Sequence, residues 1–317
     1  VQDEYKYDTK FTTLFGLRYD YNNLHGSIFT PRLSFKYSPN NKNIIRLSGG
    51  NGYRVVNLFT EDHAALTGAR DVVIAEELKP EQSWNVNLNY TKQVSLTNGF
   101  IALDGSAFYT YFTNKIIGDF ITDPNKIIYD NLRGYAISKG LTLNTEFSFA
   151  HRLKINAGVT FMDVYEKDKD SVGKNIKIPQ LFAPRFSGTY AVSYSFPSIG
   201  LAIDWTGKLN GKMHLPVLPN DFRPSQSPLF CIMNLQLTKS FKDWEIYGGA
   251  KNLLNFVPSN PLLHPDDPFN KAGGKYFDNN GVARFDTNPH GYVFDPSYNY
   301  APIQGLKGFL GVRLTVK

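Results

Sequence analysis

Four histidines stand in what read as long connecting segments: His63, His214, His264 and His290. Imidazole is a frequent metal ligand, but a direct site needs two or three converging on one ion. Nothing in their spacing brings them together, so the expectation is exposed loop histidines with no bound metal or cofactor. Asp278-Asn279-Asn280-Gly281 contains part of a calcium loop, without the spaced ligands and terminal Glu of the full motif, and reads as a turn. His151 lies beside Arg152 with no Ser or Asp placed for a triad. The single cysteine, Cys231, sits between Phe230 and Ile232 with no neighbouring base and reads as a packed small apolar side chain. No Gly-rich phosphate loop is present. An enzyme is therefore not expected, and binding is what remains. The stretch 257–302 carries Phe269, Tyr276, Phe277, Phe285, Tyr292, Phe294, Tyr298 and Tyr300, stiffened by prolines 258, 261, 265, 268, 289, 296 and 302. Rings with polar partners on a stiffened loop suit a bulky amphipathic ligand. The plainer alternative is that these rings pack on one another to keep a long loop compact.

The elements that must carry such loops follow from period-two alternation. Trp84, Val86, Leu88 and Tyr90 share one face while Asn85, Asn87 and Asn89 share the other. Leu141, Leu143, Phe147 and Phe149 oppose Thr142, Asn144, Glu146 and Ser148 in the same way. Twelve strands are predicted: 11–21, 28–38, 44–52, 81–94, 99–113, 135–149, 152–165, 184–196, 199–212, 228–241, 244–256 and 303–316. The segment 126–133 is assigned to a loop. Connectors alternate between tight turns and mostly long segments, so one end of an up-and-down sheet is trimmed and the other elaborated. Outer-membrane barrels have this asymmetry, with the long loops outside the cell. A soluble sandwich shares the alternation. Three features favour the barrel: strands mostly of 10–15 residues, a strongly polar second face, and aromatic residues at strand ends (Tyr19 and Tyr21, Tyr109 and Tyr111, Tyr194 and Phe196, Phe241 and Trp244).

Composition agrees. Aromatics make up 15% of 317 residues, yet the mean hydropathy is −0.31 and no apolar run reaches membrane-helix length. Barrel strands dilute hydropathy because every second residue faces water. The net charge of +6 is spread over turns, loops and inward-facing strand positions, which does not form a nucleic-acid-binding patch. The start, Val1-Gln2-Asp3-Glu4, lacks a signal peptide's charged and apolar regions, so residue 1 is not expected to be the natural start.

Several passages resemble the C-terminal part of a TonB-dependent outer-membrane receptor. Glu76-Glu77-Leu78-Lys79-Pro80-Glu81-Gln82-Ser83 is similar to the family's L-K-P-E-x-S, and Gly52-Tyr53-Arg54-Val55-Val56-Asn57-Leu58 to its G-x-R-x-P-x-L. Asn131-Leu132-Arg133-Gly134-Tyr135-Ala136, leading to Gly140, resembles N-x-G-x-A-x-x-x-G. Ile178-Pro179 with Ala183-Pro184, Lys251-Asn252-Leu253-Leu254-Asn255, and Pro302-Ile303-Gln304-Gly305 complete the family's order. The chain departs from the pattern at Leu306-Lys307, where Arg often follows Gly, and ends Thr315-Val316-Lys317 rather than in an aromatic residue. The resemblance implies an all-β, antiparallel transmembrane β-barrel, with residues 1–317 as the second half of 22 strands and the N-terminal plug and first half lying outside them. It implies outer-membrane lipid as surroundings and active import of a bulky scarce nutrient of the iron–siderophore, haem or cobalamin class. Energy would come from the TonB complex through the N-terminal region. Ligand-binding candidates at the elaborated end are Arg54, His63, His214, His264, Tyr276, Phe277, His290, Tyr292 and Tyr298. Two other readings predict different things. A self-contained twelve-stranded pore or lipase needs 11–21 paired with 303–316, and a soluble glycan-binding β protein needs no membrane.

Overall fold

A computed structural model describes residues 1–58, 71–120, 122–123, 126–169, 175–217, 223–258 and 298–315. Seventeen strands occur in chain order among them. They are β1 (Gln2–Lys6), β2 (Phe11–Asn22), β3 (Gly26–Asn40), β4 (Asn43–Arg54), β5 (Asp71–Ile74), β6 (Glu81–Leu96), β7 (Gly99–Asn114), β8 (Ile116–Asp119), β9 (Lys126–Asn131), β10 (Tyr135–Phe149), β11 (Leu153–Lys169), β12 (Asn175–Pro179), β13 (Phe186–Phe196), β14 (Leu201–Asn210), β15 (Phe230–Ser240), β16 (Trp244–Lys251) and β17 (Lys307–Leu314). No helix among the described residues is long and apolar enough to cross a membrane, a finding that does not bear on strands.

One antiparallel sheet forms the wall. Its order is β1-β2-β3-β4-β6-β7-β10-β11-β13-β14-β15-β16-β17, with β12 paired to the upper part of β11. All twelve strands expected from alternation are in this path, and β1 adds a thirteenth beside β2. Gln2–Lys6 is too short and too charged to show an apolar period. The path is open: β2 is flanked by β1 and β3, and no pairing of β2 with β17 occurs among the described residues. The closure that a self-contained twelve-stranded barrel requires is therefore not found.

Directly opposite residues of antiparallel strands share a face. The Trp84, Val86, Leu88, Tyr90 row continues through Ala107 and Tyr109 of β7 into Leu141 and Leu143 of β10 and Phe161 and Val159 of β11. Trp84, Val86, Leu88 and Tyr90 are 43–53% exposed, so no protein layer covers this row. An uncovered apolar sheet face about 25 Å tall matches the lipid-facing surface of a barrel. The opposite face is polar. Asn89 donates to Asp104 Oδ2 at 2.8 Å and to Ser106 Oγ at 2.9 Å, and Arg46 donates to Asn89 Oδ1 at 3.4 Å. Aromatic pairs mark the strand ends, as expected at a lipid–water boundary: Tyr19 with Phe29 at 5.0 Å, Tyr194 with Phe196 at 4.7 Å and Phe241 with Trp244 at 4.1 Å between ring centres.

The trimmed end is built from tight turns. Ala150 and His151 both have positive φ (51° and 53°), as a two-residue hairpin turn requires. Pro197–Ile199 form one 3-10 turn closed by Gly200 at φ 61°. The elaborated end carries more structure than the sequence suggested. Segment 126–133, expected to be loop, contains β9, which pairs in parallel with β5 and antiparallel with β8. Leu58, Ile127 and Tyr129 form a buried cluster there, packed by Val56, Val72, Leu78, Ile116 and Phe120. Three short strands share this small core, so none shows a long period alone.

Candidate ligand-binding rim

The polar face of the wall narrows its chemistry toward the elaborated end, where three side-chain clasps set the rim. The first centres on Asn131, the last residue of β9 and 6% exposed. Its Oδ1 accepts from the Lys79 amide at 2.8 Å. Its Nδ2 donates to Glu76 Oε1 and to the Glu77 carbonyl, both at 2.8 Å. This ties 76–80 to the small sheet and delivers the chain to β6 at Glu81. The hydrogen bond donated by Asn131, and secondarily the side-chain interaction with neighbouring Asp130, hold the Glu76 carboxyl below the ordinary value of 4.5. Pro80 immediately precedes the strand, where no ladder donor is needed.

The second clasp is ionic. Arg54 at the end of β4 donates from Nε (2.9 Å) and Nη2 (2.7 Å) to Glu81 Oε2, while Glu81 Oε1 accepts from the Ile116 amide at 3.2 Å. The Glu81 side chain is 10% exposed. Lys115 alongside reaches Glu166 Oε1 at 2.9 Å and also bonds Gln180. The third clasp is made by the two asparagines after β16. Asn252 and Asn255 both adopt φ 52°, a left-handed conformation that Asn tolerates. Asn252 Nδ2 donates to the Phe256 carbonyl (2.7 Å) and the Gln304 carbonyl (3.2 Å), and its Oδ1 accepts from the Phe256 amide (3.0 Å). Asn255 Oδ1 accepts from the Leu306 amide at 2.8 Å. Residues 252–256, expected to continue a strand, form this clasp instead and set the start of β17.

Between the third clasp and the wall lies a recess of about 420 Å³ on the polar face. Lys208 and Asn210 of β14 and Asn234 of β15 supply its polar lining; Phe230 and Tyr300 supply its rings. Phe230 stacks on Phe256 at 4.5 Å and lies 5.9 Å from Tyr300. Beside it, Tyr298 is buried at 1% exposure: its hydroxyl donates to the Pro224 carbonyl at 2.9 Å, and Arg223 covers its ring at 4.1 Å.

The structure separates the predicted site residues. Arg54 is engaged by Glu81, and Tyr298 anchors the return of the last loop rather than presenting a surface. His214 is half-buried; its carbonyl accepts from the Phe182 amide at 2.9 Å and its backbone bridges Leu181 and Gln226. These three are not brought together. His63, His264, Tyr276, Phe277, His290 and Tyr292 lie outside the described residues, as does the 278–281 turn. No cluster of three or more His, Cys, Asp or Glu suited to a metal ion occurs among the described residues. Sequence reasoning missed Lys208, Asn210, Asn234 and Phe230. Phe230 carried a usable signal, being an aromatic residue in phase with polar Asn234 and Gln236 rather than with Leu235 and Leu237.

Residues 1–253 match the family model described as TonB dependent receptor-like, beta-barrel. The chain belongs to that family, which consists of Gram-negative outer-membrane transport receptors rather than enzymes. Among solved structures it is similar to the FrpB iron transporter from Neisseria meningitidis, at 15% identity and a TM-score of 0.62, over 98% of this chain and 44% of that one. It is similar to the ferric enterobactin receptor of Pseudomonas aeruginosa at 17% identity and a TM-score of 0.61, over 98% of this chain and 43% of that one. The siderophore receptor PiuA from Acinetobacter baumannii aligns at 16% identity and a TM-score of 0.58, over 80% of this chain and 38% of that one. The chain thus spans less than half the length of these relatives, and the likeness is one of fold. No curated protein matches it.

Proposed function

We propose that residues 1–317 are the C-terminal part of a receptor wall whose plug and remaining strands lie outside this sequence, and that the whole receptor imports a bulky, scarce nutrient. The iron–siderophore class leads, with haem and cobalamin behind it, because the solved relatives named above include an iron transporter and siderophore receptors. TonB coupling through an N-terminal region belongs to the same proposal. The observation that carries the reading is the recess on the polar face at the elaborated end. A lysine, two amides and two rings converge there on space large enough for part of such a ligand. Lys208 would meet an anionic group, Asn210 would fix a hydrogen-bonding group, and Tyr300 would cover a planar or apolar part, while Asn234, bonded to the Asn252 amide and to Thr206, would hold the floor of the recess. In this reading Arg54, His214 and Tyr298 position the rim, while His63, His264, Tyr276, Phe277, His290 and Tyr292 stay candidates for direct contact.

The test is growth of a strain lacking the full-length receptor, with ferric siderophores, haem or cobalamin as the limiting nutrient, together with direct binding to the purified receptor. The reading expects one class to lose growth on deletion and to bind saturably. It also expects Lys208→Gln with Tyr300→Ala to weaken binding on the order of tenfold or more. Growth and binding indifferent to deletion for all three classes would overturn it.

A further inference from the structure

The outward face of the wall carries a basic patch where the apolar band ends. Lys139 of β10 is opposite Asp163 of β11, and Tyr135 is opposite Lys167. Lys167 is in turn opposite Lys177 of β12. All of these positions are in phase with Leu141, Leu143 and Phe149 on β10 and with Phe161 on β11, so they point away from the lumen. Phe149 stands at the trimmed end. The ten residues from there to Lys139 span roughly 25 Å of height, at about 3.3 Å per residue and a tilt near 40°. Lys139 therefore sits at the extracellular border of the hydrocarbon, with Lys167 and Lys177 just above it. The side chains are organised around rings. Lys177 Nζ lies 4.0 Å from the centre of the buried Tyr165 ring, Lys139 Nζ lies 6.0 Å from the same ring, and Lys167 Nζ lies 5.9 Å from Tyr135. Lys177 is paired with Asp163 at 2.9 Å. No carboxylate partner for Lys139 or Lys167 occurs among the described residues, which leaves two uncompensated positive charges.

Outward-facing strand positions elsewhere along this edge of the described wall carry other residues, such as Tyr21, Trp84, Tyr111, Phe186 and Leu209, and no Lys or Arg. The sequence had placed strand lysines on the inward face; these three are the exception at this edge. A lysine beside lipid is stabilised when its ammonium reaches the interface and meets an anion there. The anions available at that height on the outside of a Gram-negative outer membrane are the phosphates of its outer-leaflet glycolipid. We propose that the β10–β11–β12 sector docks phosphorylated lipopolysaccharide, with Lys139 and Lys167 on its lipid A phosphates and Lys177, oriented by Asp163, beside them. This rests on the membrane placement of the wall, not on the imported ligand.

The test uses the full-length receptor, stripped of lipid in detergent and then offered three lipids: lipid A with both phosphates, the same lipid A after dephosphorylation, and phosphatidylglycerol. Bound lipid is counted by native mass spectrometry. The proposal expects phosphorylated lipid A to be retained on the order of 10- to 30-fold more tightly than the dephosphorylated form, the scale set by two uncompensated charges near an anionic headgroup. The triple variant K139Q/K167Q/K177Q should abolish that preference, and K251Q/K307Q on the lumen face should leave it intact. Equal retention of the two lipid A forms by the unaltered receptor would overturn the proposal without any variant. So would a triple variant that keeps the preference. Phosphatidylglycerol held as tightly as lipid A would overturn the glycolipid assignment.

Discussion

Replacing Asn131 by alanine tests whether the L-K-P-E passage is a mechanical clasp. The substitution removes an acceptor from the Lys79 amide and a donor from the Glu77 carbonyl, both at 2.8 Å and both at a residue only 6% exposed. Two neutral hydrogen bonds contribute about 1 kcal/mol each, and a stranded amide adds up to about 1 kcal/mol more. The expected loss is thus about 2–3 kcal/mol of local stability, a rise of roughly 30- to 150-fold in the opening of 76–80. The bond to Glu76 is exposed and supplies pH dependence rather than strength. Because the folded carboxyl titrates below its ordinary value of 4.5, its contribution is fully present above that pH and is lost as pH falls through the lower folded value. Hydrogen exchange of the peptide covering 76–81 in the full-length receptor, taken relative to intrinsic rates, reads both effects. Asn131→Ala should accelerate exchange at neutral pH. In the unaltered protein exchange should quicken below about pH 4.5, and Glu76→Gln should remove that step. An acceleration under about threefold in Asn131→Ala would refute the clasp.

Leu88→Arg puts a charge on the lipid-facing row and should cost about 2–4 kcal/mol if that position lies near the bilayer centre; urea unfolding of the full-length receptor in lipid vesicles measures it. Gly140→Val should reduce the folded, heat-modifiable fraction on gels, because a Cβ at 140 meets the Phe108 ring at 2.8 Å and the Met162 backbone at 3.0 Å. Asn252→Ala should loosen 302–306 by about 2 kcal/mol, from lost hydrogen bonds and the strain of a left-handed alanine. Asn252→Gly should recover about 1 kcal/mol by relieving the strain alone. Limited proteolysis near the start of β17 follows both Asn252 variants.

The wall was legible because lipid favours period-two alternation in each membrane-crossing strand, and that alternation is plain in segments such as 84–90 and 141–149. β1 escaped because Gln2–Lys6 is short and polar on both faces. β5, β8 and β9 escaped because a three-stranded sheet around Leu58, Ile127 and Tyr129 derives its order from contacts distant in sequence, and four to six residues are too few to display a period. The outward lysines escaped for a related reason. The apolar period that marks the outward face of β10 runs over 141–149 and ends two residues short of Lys139, and the phase of Lys167 and Lys177 is set by pairing across strands rather than by local sequence.

The recognisable motifs and the ligand site separate physically. Asn131, Glu81, Asn252 and Asn255 have their side-chain atoms engaged with backbone or with Arg54, so the passages that identify the family hold the rim together and have little capacity left for a ligand. The recess draws its variable chemistry from positions outside those motifs, Lys208, Asn210 and Tyr300, whereas Asn234, which accepts from the Asn252 amide at 3.1 Å, and Phe230, stacked on Phe256, belong to the clasp side of it. A family assembled in this way can keep one wall and vary what it captures. Motifs can then reveal the architecture without naming the nutrient, and exchanging Lys208, Asn210 or Tyr300 should shift ligand preference while leaving the folded yield intact. A clasp exchange should do the reverse, and a receptor in which both kinds of exchange acted alike would break this division of labour.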